Sequence, residues 1–360
     1  MNKLRIFESF SGVGSQRMAL RNIGVDYESV GISEVDRYAI LAYSAIHEKD
    51  IDIEYPSKED MISVFQERNI AYNFSTNKSE IPRGEKEIKK LYKANVLSKN
   101  YGDIRLINGD ELPDFDLFTY SFPCKNISLA GKQAGLEEGS ETQSSLLWEC
   151  KRIIESKKPK YLMMENVKNL IGKKHKPFFD KWIDCLSNMG YSNYWQVMNA
   201  QDYNLPQHRQ RVIMISILND KEDYLFPPIQ ELNIELKDIL EHIPYEHKLW
   251  KFSKGNKGYD KLVRHNNKVI TRKEGIPKIS STIHAGYWKF GGRDQFYIRD
   301  DIGMIRALTP LETWRLIGFS DYDYTLSKDI GLSNSKLYER AGRGIAVTML
   351  EEVFKSLLLK

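Results

Sequence analysis

The feature that most constrains this chain is a rhythm in which short runs of β-branched and aromatic residues alternate with stretches of helical spacing. Leu4 to Phe10, Tyr27 to Ile32, Phe115 to Tyr120, Tyr161 to Met164, Tyr194 to Asn199 and Arg211 to Ile217 read as strands. Helices are expected through Gln16 to Leu20, Asp36 to Ile46, Ser145 to Ser156 and the amphipathic run Phe178 to Met189. Strands alternating with helices bury both faces of a sheet, so the pattern predicts an α/β fold with a largely parallel, doubly wound sheet and right-handed crossovers. No helical pattern separates the last two strands, and that edge should include an antiparallel hairpin.

In such sheets ligands bind beyond the carboxyl ends of the strands. The first strand runs into Ser11-Gly12-Val13-Gly14-Ser15 and a helix, the opening of a nucleotide-binding fold, although a lone Gly-x-Gly is equally a tight turn. The second ends at Ser33-Glu34, a carboxylate about 20 residues after the glycines that can accept both hydroxyls of a ribose. Tyr101-Gly102-Asp103-Ile104 resumes the core pattern with Asp103 an acid beside an apolar residue, Glu165 ends the apolar run from Tyr161, and Phe115 to Tyr120 delivers Ser121-Phe122-Pro123-Cys124. Cys124 alone could be a small buried hydrophobe. Gly12, Glu34, Asp103, Cys124 and Glu165, all expected just past strand ends, together favour a site. Gly131, Gly135 and Gly139 give the next loop the freedom of a lid. Cys150 falls on the apolar face of a helix and belongs to the core.

Length and charge organise the rest. The 360 residues suffice for two lobes. The first is expected over 1–219, with a polar, lysine-rich insertion at 47–100, and is completed by 335–360. The second, over 220–334, begins near the linker-like Pro227-Pro228. Net charge is only +4, yet Glu246 to Arg299 holds 13 Lys/Arg against 4 Asp/Glu together with eight aromatic residues. Interleaved cations and rings suit a polyanion such as nucleic acid, although a solvated basic face would look the same. Three cysteines without Cys-x-x-Cys or Cys/His spacing point to neither a disulfide framework nor a metal site. No apolar run is long enough for a membrane span and no signal peptide is recognisable, so a cytoplasmic protein is expected, without membrane contact.

Taken in order, these stretches resemble the DNA cytosine-5 methyltransferases over nearly the whole chain. The resemblance rests on Phe10-Ser11-Gly12-Val13-Gly14, Glu34, Asp103-Ile104, Phe122-Pro123-Cys124, Glu165-Asn166-Val167, Gln207-His208-Arg209-Gln210-Arg211, and Arg306 to Glu312 with Gly318-Phe319. It implies a Rossmann-like S-adenosylmethionine-dependent sheet with a second, smaller target-recognition domain and hinge over 220–334. It also implies catalysis by Cys124, Pro123, Glu165, Arg209 and Arg211. Phe10, Gly12, Val13, Gly14, Glu34, Asp103 and Ile104 would then bind S-adenosylmethionine. Ser128, Gln133, Ser281, Thr282, His284 and Arg293 would contact double-stranded DNA, with Ser281-Thr282-Ile283 similar to the family's Thr-Leu element. The same resemblance implies a monomer, with a restriction endonuclease of the same site as a partner to look for. Lys125, Val35 and Gly342-Arg343-Gly344 depart from the family pattern. A transfer-RNA methyltransferase of the same fold and a catalytically silent DNA-binding protein remain the alternatives.

Overall fold

The computed structural model of the chain describes residues 3–74, 76–123, 146–219, 223–250, 276–289, 296–299 and 304–359. They group into two compact units, one of Met1–Met198, Gln210–Pro227 and Val353–Lys360, the other of Asn199–Arg209 and Pro228–Glu352.

The first unit begins β1 (Leu4–Ser9), α1 (Ser15–Asn22), β2 (Tyr27–Ser33) and α2 (Arg37–His47). It continues through α3 (Lys58–Glu67), the short strands β3 (Tyr72–Asn73) and β4 (Lys78–Ser79), and α4 (Glu85–Leu97). Next come β5 (Leu117–Tyr120), α5 (Leu147–Lys157), β6 (Tyr161–Val167), α6 (Lys176–Asn188) and β7 (Tyr191–Asn199). The two-residue β8 (Gln207–His208) belongs to the second unit, and β9 (Gln210–Leu218) returns to the first.

The six-stranded sheet has the order β2-β1-β5-β6-β9-β7. Pairs β1/β2, β1/β5 and β5/β6 are parallel, whereas β9 runs antiparallel to β6. Parallel strands covered on both faces need apolar residues at every position, and all four residues of β5 are buried. Phe118 and Tyr120 stack at 5.2 Å, and Trp182 of α6 donates its indole N–H to the Tyr120 hydroxyl at 3.2 Å. Cys150 is buried in the same cluster, as its place on α5 requires. The 47–100 stretch carries two helices, α3 and α4, and packs its own core, in which Met61, Phe65, Ile88 and Leu91 meet Ile40 of α2.

Two placements differ from the sequence reading. Asp103 does not follow a strand. The chain makes only an isolated bridge between Asn100 and Ile32, then turns at Gly102 with φ +77°, and Asp103 caps a single 3-10 turn. A Cβ on Gly102 would lie 2.2 Å from the Arg68 carbonyl oxygen, so close backbone approach breaks the extended run here. Glu165 lies inside β6, two residues before its end, because pairing with β9 carries the strand on to Val167.

The second unit carries β10 (Ser280–Ser281), β11 (Ile298–Arg299) and β12 (Ile305–Arg306), then α7 (Pro310–Arg315), α8 (Asp321–Asp329) and α9 (Asn334–Arg343). The last helix, α10 (Val347–Leu358), starts in this unit and ends in the first. Residues 335–352, expected to complete the first lobe, thus group mainly with the second. The Trp314 indole N–H donates to the Leu337 carbonyl, and the Tyr338 hydroxyl donates to that of Leu308. At its centre Arg306 and Glu312 form a buried ion pair at 2.7 Å. Glu312 also closes the capping box of α7 with Thr309, so its oxygens have donors from two directions.

Candidate active site

The strand register places the candidate groups in one row. Ser33 pairs with Ser9, Ser9 with Tyr120, and Tyr120 with Met164, so the next residues along these parallel strands are Glu34, Phe10, Ser121 and Glu165. Three interstrand spacings separate the ends of the row, or about 14 Å at ~4.8 Å each.

At the β1 end the backbone alternates into the left-handed region, with φ +57° at Phe10, +57° at Gly12 and +75° at Gly14. A left-handed phenylalanine is uncommon and marks an imposed shape. Two contacts impose it. The Phe10 N–H donates to the Ser33 carbonyl at 2.8 Å, and the Gly12 N–H donates to Glu34 Oε2 at 3.0 Å. Glu34 Oε1 accepts from the amides of Val35 and Asp36, so one carboxylate joins the β1–α1 and β2–α2 loops. Among the described residues a Cβ on Gly12 would meet only the Phe10 carbonyl oxygen, at 4.0 Å, whereas at Gly14 it would lie 2.3 Å from His47 Nε2. Gly12 therefore serves backbone shape and open space, and Gly14 serves close packing. An acceptor carboxylate beside an open glycine, followed by the buried Val13, is an arrangement suited to a nucleoside with free ribose hydroxyls.

Asp103 behaves differently. Its oxygens accept from the amide, Nε and Nη2 of Arg105 and from Asn69 Nδ2, which commits the carboxylate to protein partners. A residue absent from the sequence reading links Glu34 to this segment. Asn100, buried, donates from Nδ2 to the Glu34 carbonyl at 2.9 Å, and its Oδ1 accepts from the Glu34 and Gly102 amides, each at 3.0 Å. An isolated asparagine between Lys99 and Tyr101 carries no pattern that would have revealed it.

At the β6 end the Glu165 carboxylate meets Arg211 Nε at 2.8 Å, both side chains nearly buried. Arg211 also donates from Nη1 to the Gln210 carbonyl. Asn166 donates from Nδ2 to the Phe122 carbonyl at 3.0 Å and accepts the Val167 amide on Oδ1. The segment leading to Pro123 is thereby tied to β6, and Gln16 Nε2 of α1 ties it again at the Ser121 hydroxyl, 3.2 Å away. Cys124, Ser128, Gln133 and Arg293 lie outside the described residues, as do the loop glycines and most of the basic, aromatic segment.

Arg209 has side-chain partners elsewhere in the chain. It belongs to the second unit, where its buried guanidinium donates to the carbonyls of Ile283, Gly342 and Gly344 at 3.0, 3.0 and 2.7 Å. Ser281, Thr282 and His284 sit in that unit on and after β10. Ser281 and Thr282 are half-buried and His284 is exposed.

The family model for C-5 cytosine-specific DNA methylases matches residues 78–359. The chain belongs to this family. It is 41% identical to the type II methyltransferase M2.ScrFI of Lactococcus lactis subsp. cremoris, across 98% of this chain and 99% of that one. It is 34% identical to the orphan methyltransferase M.SssI of Spiroplasma monobiae, across 98% and 96%. Among solved structures the methylase fold resembles the S. pombe Dnmt2 methyltransferase, with a TM-score of 0.64 at 15% identity and 99% coverage of both chains. The Entamoeba histolytica methyltransferase EhMeth gives the same TM-score at 14% identity, with full coverage of both. The chain is thus a DNA cytosine-5 methyltransferase with an α/β sheet of the methyltransferase type. No helix among its described residues is long and apolar enough to cross a membrane.

Proposed function

We propose that this methylase transfers a methyl group from S-adenosylmethionine to C5 of a cytosine flipped out of a specific duplex DNA sequence, through a covalent adduct between Cys124 and C6. The observation that carries the proposal is the Glu165–Arg211 pair, whose Glu165 shares β6 with Asn166, the residue that anchors the Phe122-Pro123 approach to Cys124.

Cytosine C5 is a poor nucleophile. Addition of the Cys124 thiolate to C6 turns it into an enamine-like carbon, and electron density moves toward N3 and O2. Glu165 serves N3 as the acid that shares its proton, and Arg211 both orients Glu165 and offers its remaining N–H groups to O2. After transfer, the C5 proton leaves to water, its electron pair expels the Cys124 thiolate from C6, and the proton on N3 returns to Glu165, which restores the ring. Glu34 would hold the ribose hydroxyls, and Phe10, Gly12, Val13, Gly14 and Ile104 would hold the rest of the nucleoside. Asp103, paired with Arg105 and Asn69, would stand with Ile104 at the adenine end. S-adenosylmethionine supplies the sulfonium-activated methyl group. The target atoms are shielded in the duplex stack, so the base has to leave it, with the 124–143 loop closing behind.

The two curated relatives are named a type II and an orphan methyltransferase. A role in host or phage DNA modification, with or without a cognate nuclease, follows for a monomeric cytoplasmic enzyme. A duplex carrying 5-fluorocytosine tests the chemistry, because C5 fluorine cannot leave as a proton. The wild type should shift on a denaturing gel in the presence of S-adenosylmethionine, and Cys124→Ser should neither shift nor transfer labelled methyl. Turnover by the serine variant, or methylation of tRNA in preference to DNA, would overturn the reading.

A further inference from the structure

The function proposed above leaves Arg209 and Gln207 without a task, and their contacts define one. All of these contacts lie within the second unit. Strand β8 runs parallel to β10, with Gln207 opposite Ser280 and His208 opposite Ser281, and the Ser280 amide donates to the Pro206 carbonyl at 2.8 Å. Beyond the two-residue strand, side chains take over from the backbone ladder. The Thr282 hydroxyl donates to the His208 carbonyl at 2.6 Å. Gln207 Oε1 accepts the Ile283 amide at 3.1 Å, and Arg209 Nη1 donates to the Ile283 carbonyl at 3.0 Å.

Both backbone polar groups of Ile283 are therefore held by side chains two residues apart on one neighbouring segment. The holders are themselves fixed. Gln207 Nε2 donates to the Leu316 carbonyl at 2.6 Å, and Arg209 Nη2 donates to the Gly342 and Gly344 carbonyls. Gly342 packs directly against the clamped stretch, since a Cβ there would lie 2.2 Å from the Ala285 nitrogen and 2.3 Å from the His284 carbonyl carbon. With the Ile283 side chain buried in the apolar cluster of this unit, the alternation of the extended chain turns Thr282 and His284 outward. Trp288 and Lys289 are exposed a turn later.

We propose that Gln207 and Arg209 are positioning residues for sequence reading: they clamp the Ile283 backbone and so set where Thr282 and His284 meet the base edges. The proposal rests on the reading of Ser281 to His284 as a DNA-recognition segment. A base-edge hydrogen bond tolerates a few tenths of an ångström, so a loosened clamp degrades discrimination before it degrades chemistry. Arginine is required because one guanidinium reaches three carbonyls in a fixed fork, which a lysine ammonium on a flexible stem does not reproduce.

The test compares Arg209→Lys and Gln207→Met with His284→Ala and Ser281→Ala, using the full chain. Competing duplexes that carry the native site or each single-base variant are methylated together and read by bisulfite sequencing, and KM for S-adenosylmethionine is measured in parallel. The clamp variants should lower the kcat/KM ratio of native to variant sites by about tenfold, the discrimination of one good base contact, with the cofactor KM unmoved. If His284→Ala and Ser281→Ala leave site choice intact, the recognition reading fails. If they change it while both clamp variants retain full discrimination, the reading stands and the clamp falls. Loss of folding in both clamp variants, or a fall in kcat at undiminished discrimination, would also overturn the clamp, placing the two side chains in general stability or in the chemistry.

Discussion

Glu8 offers a sharp test of the structure behind the cofactor turn. It is the penultimate residue of β1, fully buried, with Oε2 accepting from the Tyr43 hydroxyl at 2.5 Å, and Oε1 finds no partner among the described residues. Burial raises its pKa from an ordinary 4.5 to about 7, against the hydrogen bond from Tyr43 and the charge of Arg17, while Glu48 adds to the rise. The folded state thus keeps a proton that the unfolded chain releases near pH 4.5. Between these values the native state binds more protons, so stability falls as pH rises and levels off above about 7. At ~1.4 kcal/mol per pH unit the linkage is worth ~3 kcal/mol. Glu8→Gln mimics the protonated acid, keeps an acceptor for Tyr43, and removes the titration. Urea unfolding of both proteins at pH 5 and pH 8 should show the variant gaining on the wild type by ~2–3 kcal/mol at the higher pH. A difference in stability that does not change between the two pH values would show that Glu8 is not held neutral by burial. The consequence reaches the site, because Tyr43 shares α2 with His47, whose Nε2 lies 3.0 Å from the Val13 carbonyl oxygen in the cofactor turn.

Glu34→Ala should weaken S-adenosylmethionine binding in calorimetry while leaving DNA affinity within twofold. Asn100→Ala should move the same quantity in the same direction, by about 1–2 kcal/mol for the lost support of a buried hydrogen-bonded pair; an unchanged cofactor affinity would remove it from the site. Glu165→Gln should bind cofactor normally and slow single-turnover methylation by roughly 10²–10⁴-fold, the usual worth of a general acid. A near-normal rate would exclude it from the chemistry. Gly14→Ala should lower thermal stability more than Gly24→Ala, since both glycines have positive φ but only the first has His47 and Tyr43 in the way of a methyl group.

Much of the catalytic sheet was legible because its signals are local. Period-two runs and amphipathic helices located β1, β2, β5, β6, β7 and β9 to within a few residues, and a carboxylate following β2 found its place by counting from the glycines. What escaped depends on contacts between residues distant in the chain. Asn100 reaches Glu34 across 66 residues, and Arg209 reaches Gly344 across 135, with no periodicity to announce either. Asp103 was misplaced for a related reason. An acid beside an apolar residue looks like a strand end, but the turn at Gly102 is set by the Arg68 backbone, and the Asp103 carboxylate is captured by an arginine two residues further on.

Arg209 and Arg211 show how much a motif can leave undecided. Residues two apart in an extended chain share a face, and the family resemblance implies a catalytic role for both arginines. The antiparallel register separates them. Arg211 lies opposite Val167, and Glu165 lies opposite Ile213, which makes Glu165 and Arg211 diagonal neighbours across β6 and β9. Diagonal Cβ atoms are about 7–8 Å apart, a gap that a long arginine side chain closes. Arg209 precedes the first residue of β9 and has no β6 partner in that ladder. Its amide donates instead to Asn199 Oδ1, and its carbonyl accepts from the Ala200 amide, which commits its backbone to the other unit before its side chain is placed. The ladder thus assigns one arginine to the carboxylate row and leaves the other to hold the segment read here as recognising DNA.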